Sequence, residues 1–338
     1  MRPRLRLAAL CGAVALAGLA LLGPVLAKPR ALPLAPEAIT VAAVPIPVFR
    51  PKSDERRFGA LEFLGGMRLT SDFSGFGGIS GFALEGRDRF VAVTDAGLML
   101  TGRLDLDGER PLGLSEVRAA ALEDGQGRTL RSRRRGDAEA VAIAPDAVYV
   151  SVEDVNEIWR YPRPPLGRPG TVLKVPALAG LRDNLGAESL AYVGQGPLKG
   201  SLLAVAEEGD TASADLPGFI IAPSGKAERF TIVKSGPFNA TDLTVGPDDA
   251  LYLLERRFSF LGGLGMQVRR FPLAEVTAGA VLAGTVLANF DAGFEIDNME
   301  AIAAGTGANG ETVLTLVSDD NFSFFQRTLL LRFAVRPD

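Results

Sequence analysis

The sequence predicts an all-β fold, a β-propeller of repeated four-stranded blades, and three observations carry that prediction. Its apolar runs are short and separated by turn residues, with 39 glycines and 22 prolines in 338 residues. The runs recur as related units at a long, nearly regular spacing. An acidic residue stands at matching places in most of the units.

Five first strands are readable: Gly78 to Leu84, Asp137 to Ile143, Gly186 to Tyr192, Asn239 to Val245 and Asn298 to Ala304. Each begins with small residues, continues through a polar residue and ends in an apolar run. Second strands follow at Phe90 to Thr94, Ala147 to Val152, Ser201 to Ala206, Ala250 to Leu254 and Thr312 to Val317. Third strands are legible at Asn156 to Tyr161, Gly218 to Ile221, Gln267 to Phe271 and Thr328 to Phe333. Between the polar residues Ser80, Glu139, Glu188, Asp242 and Glu300 the period is 59, 49, 54 and 58 residues, long enough for one blade each. Five blades are countable, with a sixth of degenerate sequence left open. The last unit is short of strands, so the run Leu61 to Leu64 or Met67 to Leu69 is expected to complete it and join the two ends of the chain. A β-sandwich is the competing architecture, but it gives no reason for an acid to recur at one strand position.

The first residues divide the chain further. Arg2, Arg4 and Arg6 precede an uncharged apolar stretch from Leu7 to Leu22, and Gly23-Pro24 leads to the small-residue ending Val25-Leu26-Ala27. This is the pattern of a secretory signal over residues 1–27, too short for a comfortable membrane span. Residues 28–57 carry Pro29, Pro33, Pro36, Pro45, Pro47 and Pro51 and read as an extended leader, which a helix or a central strand would not tolerate. The propeller domain is then 58–338. The expected location is the periplasm or the exterior, with no stable membrane span after cleavage.

Composition excludes several chemistries. Cys11 is the only cysteine and falls in the signal, so the mature chain has no disulfide and no thiolate metal ligand. The sequence contains 0 histidines, which removes imidazole ligands and any Ser/His/Asp triad. No Gly-x-Ser-x-Gly elbow surrounds Ser80. Removal of the signal leaves 33 basic and 40 acidic residues, net −7, which argues against nucleic-acid binding. A monomer acting on a small anionic or ester substrate is the expected form.

Innermost propeller strands point at the central channel, so Glu139, Glu188, Asp242 and Glu300, with Ser80 in the remaining blade, should form a ring at one mouth. The second strands end in Asp95, Glu153-Asp154, Glu207-Glu208, Glu255 and Asp319-Asp320, a hairpin's length away, and these acids return toward the same mouth. Crowded carboxylates need a positive partner. Oxygen-only ligands select a hard ion, and Ca²⁺ suits ligands drawn from separate blades better than octahedral Mg²⁺. Glu139, Glu188, Asp242, Glu300, Asp95 and Asp319 are therefore the candidate metal ligands. Arg256 and Arg257 follow Glu255 and would hold an anionic group. Glu139, Glu188, Glu300 and Arg256 are the candidate catalytic residues. The competing reading of the acids is structural: caps and inter-blade ties to backbone N–H groups.

The segments Gly77-Gly78-Ile79-Ser80-Gly81 with Thr94-Asp95, Asp137-Ala138-Glu139-Ala140, Ala187-Glu188-Ser189-Leu190, Asn298-Met299-Glu300-Ala301 and Ser318-Asp319-Asp320-Asn321-Phe322 with Gln326-Arg327-Thr328 resemble, in order, the phytase-like family of secreted bacterial proteins, labelled "esterase-like activity of phytase". The resemblance runs from about Phe58 to Val335. It implies a propeller and, through its relation to calcium-dependent phytases, metal-assisted hydrolysis of a phosphate monoester or another ester. The chain lacks a dense lysine cluster beside the acids, unlike a pocket for a polyphosphate. The alternative is a non-catalytic, calcium-stabilised propeller that binds a protein or glycan in the cell envelope.

Overall fold

The structure is a computed structural model that describes residues 32–133, 136–181, 188–209, 211, 213–259 and 263–336. The signal segment 1–27, the first four leader residues and Gly186-Ala187 of the third unit lie outside the described residues. Strands dominate, as the turn-punctuated runs demand, and they form five antiparallel-based sheets.

Blade 1 runs outward from the axis as Ile79–Glu85, Arg89–Thr94, Leu98–Asp107 and Arg110–Ala121. Blade 2 is Ala138–Ile143, Ala147–Val152, Glu157–Pro162 and Thr171–Leu173. Blade 3 is Ser189–Tyr192, Leu202–Val205, Leu216–Ile221 and Ala227–Ile232, with Val281–Leu282 added in parallel at its rim. Blade 4 is Asn239–Val245, Ala250–Ser259, Gly263–Pro272 and Thr285–Asp291. Blade 5 combines Asn298–Thr306, Thr312–Asp319 and Thr328–Val335 with Leu61–Thr70 from the N-terminal side. The five innermost strands adjoin in a closed ring, blade 5 meeting blade 1. The fold is thus a five-bladed propeller, and no sixth sheet occurs among the described residues.

The two runs expected to close the ring, Leu61 to Leu64 and Met67 to Leu69, are one strand. It pairs antiparallel with the last strand, Thr328↔Leu69 to Val335↔Leu61. Ala42–Ile46 then covers its outer edge with Pro45 in an edge position, where the missing N–H costs no central ladder bond. Glu37–Ala38 pairs with the outer strand of blade 1, so residues 37–46 straddle the seam between the first and last blades. Phe49 fixes this segment: fully buried, it packs 4.8–5.4 Å from the rings of Phe58, Phe63, Phe290 and Phe333.

The hydrophobic core is five cores, one between each pair of neighbouring blades. A blade sandwiched on both faces cannot alternate apolar and polar residues. Accordingly Leu202–Val205 is buried at every position, as is Thr312–Asp319. All innermost strands run the same way, so their N-terminal ends gather at one mouth and the returning second strands end there too. Their C-terminal halves, mostly apolar in sequence, line a narrow channel segment of about 100 Å³.

Candidate metal centre at the acidic mouth

The mouth is built from β-bulges. In blade 1 Ile79 pairs with Thr94 and Gly81 with Val93, leaving Ser80 as the extra residue. In blade 5 Met299 pairs with Ser318 and Ala301 with Val317, leaving Glu300. In blade 2 Glu139 and Ala140 face Ser151 alone. A bulge re-aims a side chain and leaves its residue out of the ladder. Here it turns Ser80, Glu139 and Glu300 toward the axis, and Glu188, immediately before the first strand of blade 3, takes the corresponding place.

Blade 4 departs from the sequence alignment. Ala240 pairs with Glu255 and Asp242 with Leu254, so the bulged residue is Thr241, not Asp242. A shift of one residue sends a strand side chain to the opposite face. Asp242 is buried, with Oδ1 accepting the Leu243 N–H at 2.8 Å and Oδ2 accepting the Ile302 N–H of blade 5 at 2.9 Å. It ties blades together, as the structural reading of the acids expected. The same shift moves the second strand: Arg256, not Glu255, stands where Asp95, Glu153, Glu207 and Asp319 stand in the other blades. Glu255 turns away and is fully buried against Arg269, whose Nε and Nη2 donate at 2.7 and 2.6 Å while Gln267 donates at 2.7 Å. Ser80 makes a further tie, donating to the Ala138 carbonyl of blade 2.

What converges on the mouth is therefore Glu139, Glu188 and Glu300 in an inner tier, with Asp95, Glu153, Glu207 and Asp319 around them. Burial pushes the carboxyls of Glu139 and Glu188 well above the usual range, and their neighbours push further: Asp137, Glu153 and Glu300 on Glu139, and Glu139, Glu153, Glu207 and Glu300 on Glu188. Burial, with Asp319 and Asp137 adding, raises Asp95 to about 7. Burial raises Glu300 to about 7 even though the Arg256 guanidinium pulls the other way. Asp319 rises to about 6 by burial, opposed by the Asn321 N–H that its Oδ1 accepts at 2.6 Å.

Arg256 is the blade 4 member of this tier, and both it and Lys234 oppose the effect of burial on Glu207. Its Nη2 lies 3.2 Å from Glu300 Oε1, and its Nη1 donates to Asn298 Oδ1, while Asn298 Nδ2 donates to Glu300 at 2.8 Å. About a quarter of its side chain stays accessible, and each terminal nitrogen keeps a further N–H. Arg257, the other expected anion-binding residue, instead has its guanidinium 5.6 Å from the Phe238 ring centroid.

Two observations bear on a bound cation. Asp137, Glu139 and Glu153 each offer an oxygen, all within 4.8 Å of one another. Asp95 Oδ1 is buried and accepts no hydrogen bond among the described residues. An oxygen-only donor set with an orphaned carboxylate oxygen fits a hard ion such as Ca²⁺.

Asp137 and Asn298 were not singled out by sequence as site residues, yet a signal existed. Both stand two residues before the bulge, as do Gly78 and Asn239, and residues i and i+2 of a strand share a face. Each of these positions reaches the preceding blade: Asn239 to Glu207 at 3.3 Å, Asn298 to Arg256, Gly78 N–H to Asp320 at 2.9 Å, and Asp137 to Asp95 through its charge.

Comparison with known proteins matches residues 74–322 to the family described as "Phytase-like: Esterase-like activity of phytase". No curated protein matches. Among solved structures the chain is similar to Myxococcus xanthus glutaminyl cyclase, with 14% identity, a TM-score of 0.42 and coverage of 77% of this chain and 92% of that one. It is also similar to a chain of a nidogen/laminin complex, with 11% identity, a TM-score of 0.42 and coverage of 79% and 89%.

Proposed function

The chain belongs to the phytase-like family, and from that premise we propose that the acidic mouth is the centre of an exported, calcium-dependent hydrolase of a small phosphate monoester or another ester. One observation carries the reading: eight carboxylates from four blades, Asp137 included, meet at one mouth, where blade 4 supplies the Arg256 guanidinium instead. Such crowding costs stability at neutral pH unless a cation enters.

Asp137, Glu139 and Glu153, whose oxygens lie within 4.8 Å of one another, would hold the ion, with Glu188, Asp95, Glu300 and Asp319 beside them. When bound, Ca²⁺ supplies Lewis-acid polarisation of the phosphoryl or carbonyl oxygen and a more acidic water. Arg256 receives an anionic substrate oxygen through its free N–H groups, and Glu300 and Asn298 hold that guanidinium in orientation. Glu139 and Asp137 share a hydrogen bond in the metal-free protein, and they would give up that shared proton on taking the ion. In the overall reaction the oxygen of water bonds to phosphorus or carbon, the ester bond breaks, and the alcohol leaves with a proton. Asp242 is omitted from the ligand set because its oxygens are engaged by amides.

The test is metal analysis of the purified mature protein, then a panel of phosphate and carboxylate esters with and without chelator. Calcium-stimulated turnover that falls at least ~100-fold in Glu300→Gln is expected, the scale of losing one preorganised charged group. A melting temperature that rises with calcium without turnover on any ester would instead mark a non-catalytic, ion-stabilised propeller.

A further inference from the structure

Beyond the carboxylates, the mouth carries an aromatic rim. The loop between the second and third strands of blade 5 holds Phe322, Phe324 and Phe325, of which Phe324 is 96% and Phe325 90% exposed, far beyond what folding asks of a phenylalanine. The loop is anchored to the site. Asp320 accepts N–H groups from Gly78 at 2.9 Å and Phe322 at 3.1 Å, and the Thr328 hydroxyl at 3.0 Å. Asn321 and Phe322 both adopt left-handed backbone, φ 47° and 48°, a conformation costly for a bulky side chain. A side chain at Gly78 would collide with both Asp95 Oδ1 and the edge of the Phe322 ring, so those groups face each other across one glycine. The orphaned carboxylate oxygen thus borders one aromatic ring, and two and three residues further along the same loop stands the edge-on pair Phe324–Phe325, 5.8 Å between centroids. Phe258, at the end of the second strand of blade 4 beyond Arg256, adds a fourth exposed ring, 76% accessible, at the same mouth.

We infer that this rim binds the apolar part of the substrate, so that the ester hydrolysed joins one anionic or polar head to an aryl or acyl group. The inference rests on reading the mouth as a hydrolytic centre. Charge supports it: the cations acting on these carboxylates are Arg256 and, on Glu207, Lys234, whose ammonium already donates to Asn239, and such a pair balances a single anionic head far better than a polyphosphate. Charge also favours a small molecule over a lipid surface, because the surrounding acids repel anionic headgroups. Phe324 and Phe325 lie four and five residues beyond Asp320, within about 18 Å of it even fully extended, which suits a small bifunctional molecule.

The test compares 1-naphthyl phosphate with methyl phosphate, and 1-naphthyl acetate with methyl acetate, in calcium-loaded wild-type protein and in Phe324→Ser/Phe325→Ser. Both rings are solvent-exposed, so the variant should fold. The wild type should show a KM roughly tenfold or more lower for the naphthyl ester than for the methyl ester, and the variant should lose most of that difference while kcat, which follows the leaving group, stays unchanged for each ester. Equal KM for naphthyl and methyl esters in the wild type, or a naphthyl KM that the variant leaves unchanged, would overturn the rim and leave the hydrolase reading intact. If no ester is turned over, calorimetry with 1-naphthylphosphonate decides: weaker binding to the variant sustains the rim without the hydrolase, and equal binding sinks it. Variant-sensitive binding to phosphatidylcholine vesicles without any naphthyl preference would also overturn it.

Discussion

Blade 4 and its neighbours carry acids at matching places in the sequence, yet they dispose of them differently. In blade 4, Glu255 is matched by a bidentate guanidinium and a side-chain amide, and Asp242 by backbone N–H groups from two strands. In blades 2 and 3, the groups acting most strongly on Glu139 and Glu188 are other carboxylates. Burial raises the carboxyls on both sides of this divide, so elevation alone does not separate them. The identity of the partner does. A buried acid whose lone pairs are filled by the fold is architecture, whereas one surrounded by its own kind is the candidate ligand.

The comparison is broken most severely through Glu255. Removing it leaves Arg269 buried with a charge and no counter-ion, although Arg269 Nη1 still donates to the Val233 and Ala283 carbonyls at 2.9 and 2.7 Å. Glu255→Ala should cost about 3–5 kcal/mol of stability, the scale of breaking a buried pair from one side. Urea denaturation followed by far-UV circular dichroism measures it. If stability is intact and calcium binding is lost instead, Glu255 belongs with the unmatched acids.

Calcium and pH sharpen the comparison at an intermediate scale. In the metal-free protein Asp95 and Glu300 titrate near 7 and Asp319 near 6, all above the values of about 4 expected when unfolded. Between those limits the folded state binds more protons than the unfolded one. Stability is therefore fully present below pH ~4 and falls as pH rises through ~7. Metal-free protein should melt at a lower temperature at pH 8 than at pH 5. Calcium at a hundred times its dissociation constant should restore about 2.7 kcal/mol at pH 8, and much less at pH 5 where protons compete for the same oxygens. Calorimetric scans at the two pH values, with calcium and with chelator, check both signs. An equal calcium effect at pH 5 and pH 8 would remove the carboxylate ring as the binding site.

Much of this was legible in the sequence, and what was not has a definite cause. Blade number and ring closure follow from apolar runs repeating at blade length, because every blade must bury both faces in the same way. Glu139, Glu188 and Glu300 were legible because each follows a small or apolar residue and precedes a run that can only be an inner strand. Asp242 misled because a bulge is a choice of pairing partner: Thr241-Asp242 offers two polar residues, and only the ladder with Leu254 and Glu255 decides which one leaves the sheet. The same slip hid Arg256 as the blade 4 counterpart of Asp95 and Asp319. The aromatic tip was invisible for another reason, since burial decides whether a phenylalanine is core or rim.

The smallest expected effect tests that register directly. Asn at position 242 keeps one carbonyl oxygen but presents an NH₂ where a carboxylate oxygen accepts an N–H, so one of the two amides, Leu243 or Ile302, faces a donor. Against that loss stands the removal of a buried charge whose carboxyl is already pushed upward by burial. The two oppose each other, and Asp242→Asn should cost only about 1–2 kcal/mol, in the range of a single buried hydrogen bond. Because the group faces the seam between blades, calcium affinity measured by calorimetry should stay within about twofold of wild type, a change of only ~0.4 kcal/mol. A variant with unchanged stability and calcium affinity weakened tenfold or more would place Asp242 back in the ring, and with it the register on which the assignment of Arg256 depends.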